Sequence, residues 1–223
     1  MRCVNIEYLI DLEWKEFETL HLVVENPSMM EKIICELKAM SNGEEGSFVF
    51  SEQRKEIKFE KSIELIVDPF GIDFNSRQVI AKLYSELVKA EELFVLDKAE
   101  INSKILCYLE KISAELAYDT VSFELNLDTT KLLKMYDVKL NPEYLSLIEK
   151  LTEYMKMVSL LLKKCVIILV NIKSYLNFDD ICKLKNMALY YKVYLMLIDN
   201  FEGQVQEDDI VYIIDKDNCL IKK

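Results

Sequence analysis

Glycine is scarce in this chain of 223 residues: there are four, Gly43, Gly46, Gly71 and Gly203. A phosphate cradle needs glycines so that backbone N–H groups can close around the anion, and neither G-x-x-x-x-G-K-[ST] nor G-x-G-x-x-G can be written with these. That argues against a nucleotide-dependent enzyme of the usual kinds. Histidine occurs once, at His21 inside the strand-like stretch 20–24, so a zinc site is not expected and His21 reads as a core residue. The cysteines, at 3, 35, 107, 165, 182 and 219, contain no C-x-x-C pair and read as small buried hydrophobes in a reducing compartment. No apolar run approaches the length a bilayer needs, 165–170 being among the longest. Nothing at the first residues resembles a signal peptide, and a soluble, cytoplasmic protein is expected.

Arginine is almost absent, with Arg2, Arg54 and Arg77 against 25 lysines. Any nucleic-acid contact would then consist of point charges on phosphate, with little bidentate reading of bases. The net charge of −11 opposes such a partner, but its distribution matters more than its total. Residues 129–192 hold eleven lysines and six acids, a balance of +5 that leaves −16 for the remainder. One face able to meet phosphate, or lysines that merely solvate helices, would each produce this asymmetry.

What is present is a core, since 51% of residues are hydrophobic. Residues 62–76 run from a strand, Leu65-Ile66-Val67, expected to be buried on both faces, through Pro69 and Gly71 into a helix capped by Asn75 or Ser76. Ahead of it, 19–25 predicts a strand, Asn26 and Pro27 open a helix, and 47–59 predicts one or two short edge strands. After it come helices expected at 75–93, 97–118 and 142–162, the last with Ile148, Leu151, Met155, Val158 and Leu162 on a heptad-like seam. Such seams suit a protruding antiparallel bundle, the alternative being that all three helices lie on the sheet. Strands resume at 166–170 and 193–198 around a helix at 178–189 capped by Asn177. A hairpin is expected from 210–214 and 220–221; its turn, Asp215-Lys216-Asp217-Asn218, lacks the glycine and glutamate that would make it a calcium loop.

Candidate chemistry is thin. Asp68 and Asp73 flank the turn after the central strand and Asp199 closes another, positions where a general base or metal ligand would sit in an α/β sheet. Turn acids and helix caps occupy the same places, and no nucleophile or histidine accompanies them, so no catalytic role is assigned. Lys163-Lys164 is the sharpest basic feature, expected to be exposed between helix and strand.

Taken together, residues 62–76, Lys163-Lys164 leading into 166–171, and 193–198 followed by 208–214 resemble the small adaptation proteins of type II-A CRISPR systems. The resemblance implies a non-enzymatic α/β fold: a P-loop-ATPase-like head without a phosphate loop, split by an inserted helical leg of antiparallel helices. The corresponding division is 1–88 and 164–223 for the head and 89–163 for the leg. It further implies a homotetrameric ring that accepts double-stranded DNA ends through a positively lined hole and supports spacer acquisition in antiviral defence. Its partners would be the CRISPR integrase proteins and the effector nuclease, and no nucleotide is expected. Lys134, Lys139, Lys163 and Lys164 fall on basic positions of the family pattern, and Lys131 and Lys173 join them by proximity. The family's ring-stabilising calcium would fall to Glu124 and Asp128 with Asp119 nearby. Here one acid of that run is Asn126 and the acids that follow are gone, a thin site for an ion that takes about six to eight oxygens. Direct subunit contacts are the expected replacement. The rival reading is a protein-interaction scaffold docking the integrase or nuclease through its acidic surface; a degenerate nucleotide-binding enzyme would need ATP near Asp68.

Overall fold

The computed structural model describes residues 1–16, 18–118 and 120–223, and the chain divides into two compact units: Met1–Asp73 with Pro142–Lys223, and Phe74–Asn141. The first is built on a six-stranded sheet formed by β3 (Thr19–Val24), β6 (Ile63–Ile66), β7 (Val166–Val170), β8 (Tyr194–Asp199), β9 (Ile210–Ile214) and β10 (Leu220–Lys222). They lie in the order β10-β9-β3-β8-β7-β6, parallel except for β10, which closes the expected hairpin antiparallel to β9. Every residue of β3, β7 and β8 is buried, as continuous apolar runs in a parallel sheet require.

Because side chains alternate along a strand, Val166, Ile168 and Val170 face one core and Ile167 and Leu169 the other. On the first side lie α1 (Pro27–Ser41), capped by Asn26 with Pro27 at its first position, and a second sheet. That sheet is antiparallel, in the order β2-β1-β4-β5, from β1 (Arg2–Asn5), β2 (Ile10–Glu13), β4 (Phe48–Glu52) and β5 (Lys55–Ile57). Its inward residues Cys3, Leu12, Phe48 and Phe50 join Trp14, Ile33 and Leu37 in one cluster, with Trp14 edge-on to Tyr194. The strands at 47–59 are thus not edges of the main sheet: the N-terminal strands, too short to show a period, provide their partner. The other face is covered by α6 (Leu147–Met157) and α7 (Phe178–Tyr190), which bury Leu151, Met155, Leu184 and Ala188.

Two expectations are corrected here. β6 is an edge strand with β7 as its one neighbour, so Glu64 and Leu65 are half-buried and Val67 is 40% exposed. The third seam helix belongs to the first unit, because Leu151, Tyr154, Met155, Met157 and Val158 are buried in it; the units meet at 73/74 and 141/142. It starts at Leu147, where the Ser146 hydroxyl accepts from the Glu149 N–H, and ends in a π-turn, Val158–Leu162, closed by Lys163 in the left-handed region at φ 59°.

The second unit holds α3 (Arg77–Ala90), α4 (Val95–Ala114) and α5 (Thr129–Met135). Asn75 staples its two ends, accepting from the Leu140 N–H and donating to the Leu140 carbonyl, both at 2.9 Å. A 3-10 turn, Glu91–Phe94, with Phe94 outside helical backbone at φ −124°, separates α3 from α4, and the two helices have few contacts along their lengths. These two are therefore not the side-by-side antiparallel pair expected; α5 is what packs on α3, with the Tyr84 hydroxyl donating to the Leu133 carbonyl at 3.3 Å. No residue of α4 is buried.

A buried polar cluster ties the first unit together. His21, 1% exposed, contacts Asp209 at 3.1 Å; Asp209 also accepts from the Thr19 and Gln206 backbones and, at 2.8 Å, from the Lys185 ammonium. Burial depresses the imidazole, while His21 and Lys185 hold the Asp209 carboxyl far below the usual range despite its burial. Asp199, 1% exposed at the end of β8, accepts one bond from the Lys173 N–H, its other oxygen has no partner among the described residues, and burial pushes its carboxyl up to about 6. A raised carboxylic acid destabilises the fold when ionised, and the penalty is relieved as pH falls through the folded value. Asp199→Asn is expected to gain about 1–2 kcal/mol over the native chain at about pH 8, the gain starting to fall near about pH 6 and vanishing only below about pH 4. Urea unfolding at several pH values measures this, and the His21–Asp209 contribution, common to both proteins, cancels.

Candidate nucleic-acid interface

In the second unit the capped start of α3 places Arg77 at the first helical position, and three to four residues on, Ile80, Ala81, Tyr84 and Val88 recur along one face. This stripe floors a groove of about 610 Å3, whose rim carries Arg77, Lys89, Thr130 and Lys134. Lys134 is exposed in the last turn of α5, where a cation is favoured by the helix dipole. Among the described residues, neither it nor Arg77 has a carboxylate within ion-pair distance, whereas Lys89 pairs with Glu86 at 2.8 Å. Two further candidates of this unit are partly neutralised: Lys139 pairs with Asp137 at 2.6 Å, and Lys131 lies 4.0 Å from Asp128. Arg77 was missed in the sequence, where an isolated arginine at a helix start carries no periodic signal.

In the first unit Lys163 and Lys164 part company. Lys163 is exposed at the left-handed residue that ends the π-turn. That bend turns Lys164 inward, where it is 9% exposed, with its ammonium 2.7 Å from Glu64 and 3.0 Å from the Ile63 carbonyl. The Tyr154 hydroxyl donates to the other Glu64 oxygen at 2.6 Å, and burial followed by that carboxylate raises its pKa. Lys164 is thus a structural cation, contrary to the expected exposure. Lys173 is likewise turned inward: its ammonium donates to the Glu202 carbonyl, and burial lowers its pKa even with Asp199 and Glu202 nearby. With Lys150 bonded to the Phe70 carbonyl at 2.6 Å and Lys185 bound to Asp208 and Asp209, much of the lysine excess in 129–192 neutralises internal oxygens.

Glu124, Asn126 and Asp128 line a second groove with Asn102, Leu127 and Lys131. Asp128 caps α5 by accepting from the Lys131 N–H at 3.1 Å, Asn126 is neutral, and Asp119 lies outside the described residues. Among the described residues no three acidic, histidine or cysteine side chains converge, and Glu124 and Asp128 offer few of the oxygens that calcium takes. At the end of β6 the Asp68 carboxylate accepts from the Phe70 N–H at 3.0 Å, and a Cβ on Gly71 would meet the other Asp68 oxygen at 2.4 Å. The turn folds on its own aspartate, a conformation in which this glycine serves a close approach and not an anion.

The family model described as CRISPR-associated protein (Cas_Csn2) matches residues 40–218. A CRISPR-associated protein Csn2 of Streptococcus agalactiae is 28% identical over 179 residues, covering 78% of this chain and 77% of the relative. Another, from Enterococcus faecalis, is 24% identical over 184 residues, covering 80% of each. The crystal structure of Stu0660 of Streptococcus thermophilus shares the fold at a TM-score of 0.62 and 16% identity, over 96% of this chain and 75% of that one. With the family model spanning most of its length, the chain belongs to the CRISPR-associated Csn2 family.

Proposed function

We propose that this protein is a non-enzymatic, sequence-independent binder of double-stranded DNA ends that acts as a homotetrameric ring in CRISPR spacer acquisition. The observation that carries the reading is a set of exposed, unpaired cations, Arg77 and Lys134 around one groove and Lys163 on the π-turn, on a chain whose net charge is −11 and whose family is CRISPR-associated. A groove edged by Arg77 and Lys134 on an otherwise repelling chain suits a polyanion held there. Lys131 and Lys139, whose partners are exposed acids, join the contact set by exchanging those partners for phosphate. The α/β head, related to P-loop ATPases, supplies a scaffold in place of a nucleotide site, in keeping with the Asp68–Gly71 turn. Self-association is supported by apolar residues left in solvent along the second unit, among them Leu93, Leu96, Ile101 and Tyr108. The integrase proteins and effector nuclease remain its protein partners in this reading.

A gel shift with labelled linear duplex, challenged by unlabelled linear or covalently closed circular DNA of equal length, tests it. Linear DNA is expected to compete and closed circles not; equal competition means binding along an open surface, and no binding leaves the scaffold reading. Arg77→Glu and Lys134→Glu are each expected to weaken binding about tenfold at low salt and to reduce the salt slope by about one. Lys164→Met is expected to cost about 3 kcal/mol in urea unfolding, by stranding Glu64, and to leave the salt slope of the folded protein unchanged. A slope that falls with Lys164 and not with Lys134 would reverse these assignments.

A further inference from the structure

The 3-10 turn between α3 and α4 makes a corner in the second unit, and a single carboxylate there is shared by three helices. Glu91, the residue that ends α3, has its side chain 19% exposed. One of its oxygens takes an ion pair from Lys98 in the first turns of α4 and a 2.8 Å hydrogen bond from the hydroxyl of Thr129, the first residue of α5. These two donors, Lys98 before Thr129, hold the Glu91 carboxyl below its usual range against the opposing charge of Asp128. One turn along α4, the Asn102 amide donates to the Leu125 carbonyl at 2.8 Å and lays residues 124–128 along the helix. Of the acids in this part of the unit, Glu91 is met by Lys98, while Asp128 lies 4.0 Å from Lys131.

We infer that the Lys98 ammonium is the resident cation of this corner, fastening α3, α4 and α5 through Glu91 and Thr129 where the family resemblance leads one to expect a divalent ion. The chemistry favours the substitution. A lysine supplies one positive charge and three directed donors from within the chain, without the dehydration and multi-oxygen shell that calcium demands. The cation is also carried by the chain itself, so the joint forms on folding and is not gated by ion concentration. Asn126, neutral within the acidic run, lowers the negative charge that would otherwise recruit a second cation. The inference concerns how the second unit is held and is independent of DNA binding.

Hydrogen exchange of the full chain, read by mass spectrometry over residues 91–98 and 124–134, tests it, with exchange in β7 and β8 reporting that the first unit stays folded. The native chain is expected to exchange identically in calcium chloride and in chelator. Lys98→Gln should accelerate exchange over 129–134 about tenfold, Thr129→Val by less, and Lys98→Arg should retain protection. Calcium-dependent slowing in the native chain that Glu124→Gln abolishes would overturn the inference, as would native-rate exchange in both Lys98→Gln and Thr129→Val.

Discussion

A parallel sheet has no face that tolerates water, because its strands are joined by crossovers and read as unbroken apolar runs. Here β3, β7 and β8 are buried along their whole length, and the rest of the first unit is arranged to keep them so. One face recruits α6 and α7; the other recruits α1 and a small antiparallel sheet whose own inner face is too short to stand alone. That demand explains why the helix after Pro142 belongs with the sheet: its apolar stripe has a large surface to cover. It also explains the expense of burying charge, since Lys164, Lys150 and Lys185 each satisfy an oxygen that the covering layers would otherwise strand.

The same accounting changes how the charge of the chain is read. A local excess of lysine suggests a surface for phosphate, yet lysine is also the residue whose long apolar stem carries a cation to a buried carboxylate. Lys163 and Lys164, adjacent in sequence, illustrate both uses, one in solvent and one against Glu64. Of the lysines that the sequence singles out, Lys134 and Lys163 have no ion-pair partner among the described residues, a sharper set than the lysine excess suggests. In the second unit an internal cation, Lys98, takes the role of joint at the helix corner, and the acids near it serve as helix caps and ion-pair partners.

Much of this was legible beforehand. Caps at Asn26, Ser76 and Asn177, strands at 166–170 and 193–198, and the turn at Asp215 all depend on neighbours within a few residues, and local rules find them. His21 reads as a core residue because an apolar strand surrounds it, although its partner Asp209, 188 residues away, could not be named. The N-terminal strands escaped because four-residue segments show no reliable period, and Arg77 because its groove is made with residues of α5.

By itself the sequence determined the alternation of strands and helices from residue 19 on, the helix starts at Asn26, Ser76 and Asn177, the lack of a phosphate cradle and the family, since these rest on local spacing, glycine count and ordered motifs. Only the tertiary structure decided which strand stands at the sheet edge, where the chain divides, and which lysines face water. Those outcomes depend on partners distant in sequence: Glu64 sits one hundred residues from Lys164, and the pairing of β6 with β7 is what brings them together. Burial and counter-charge are properties of such meetings, and no local pattern encodes them.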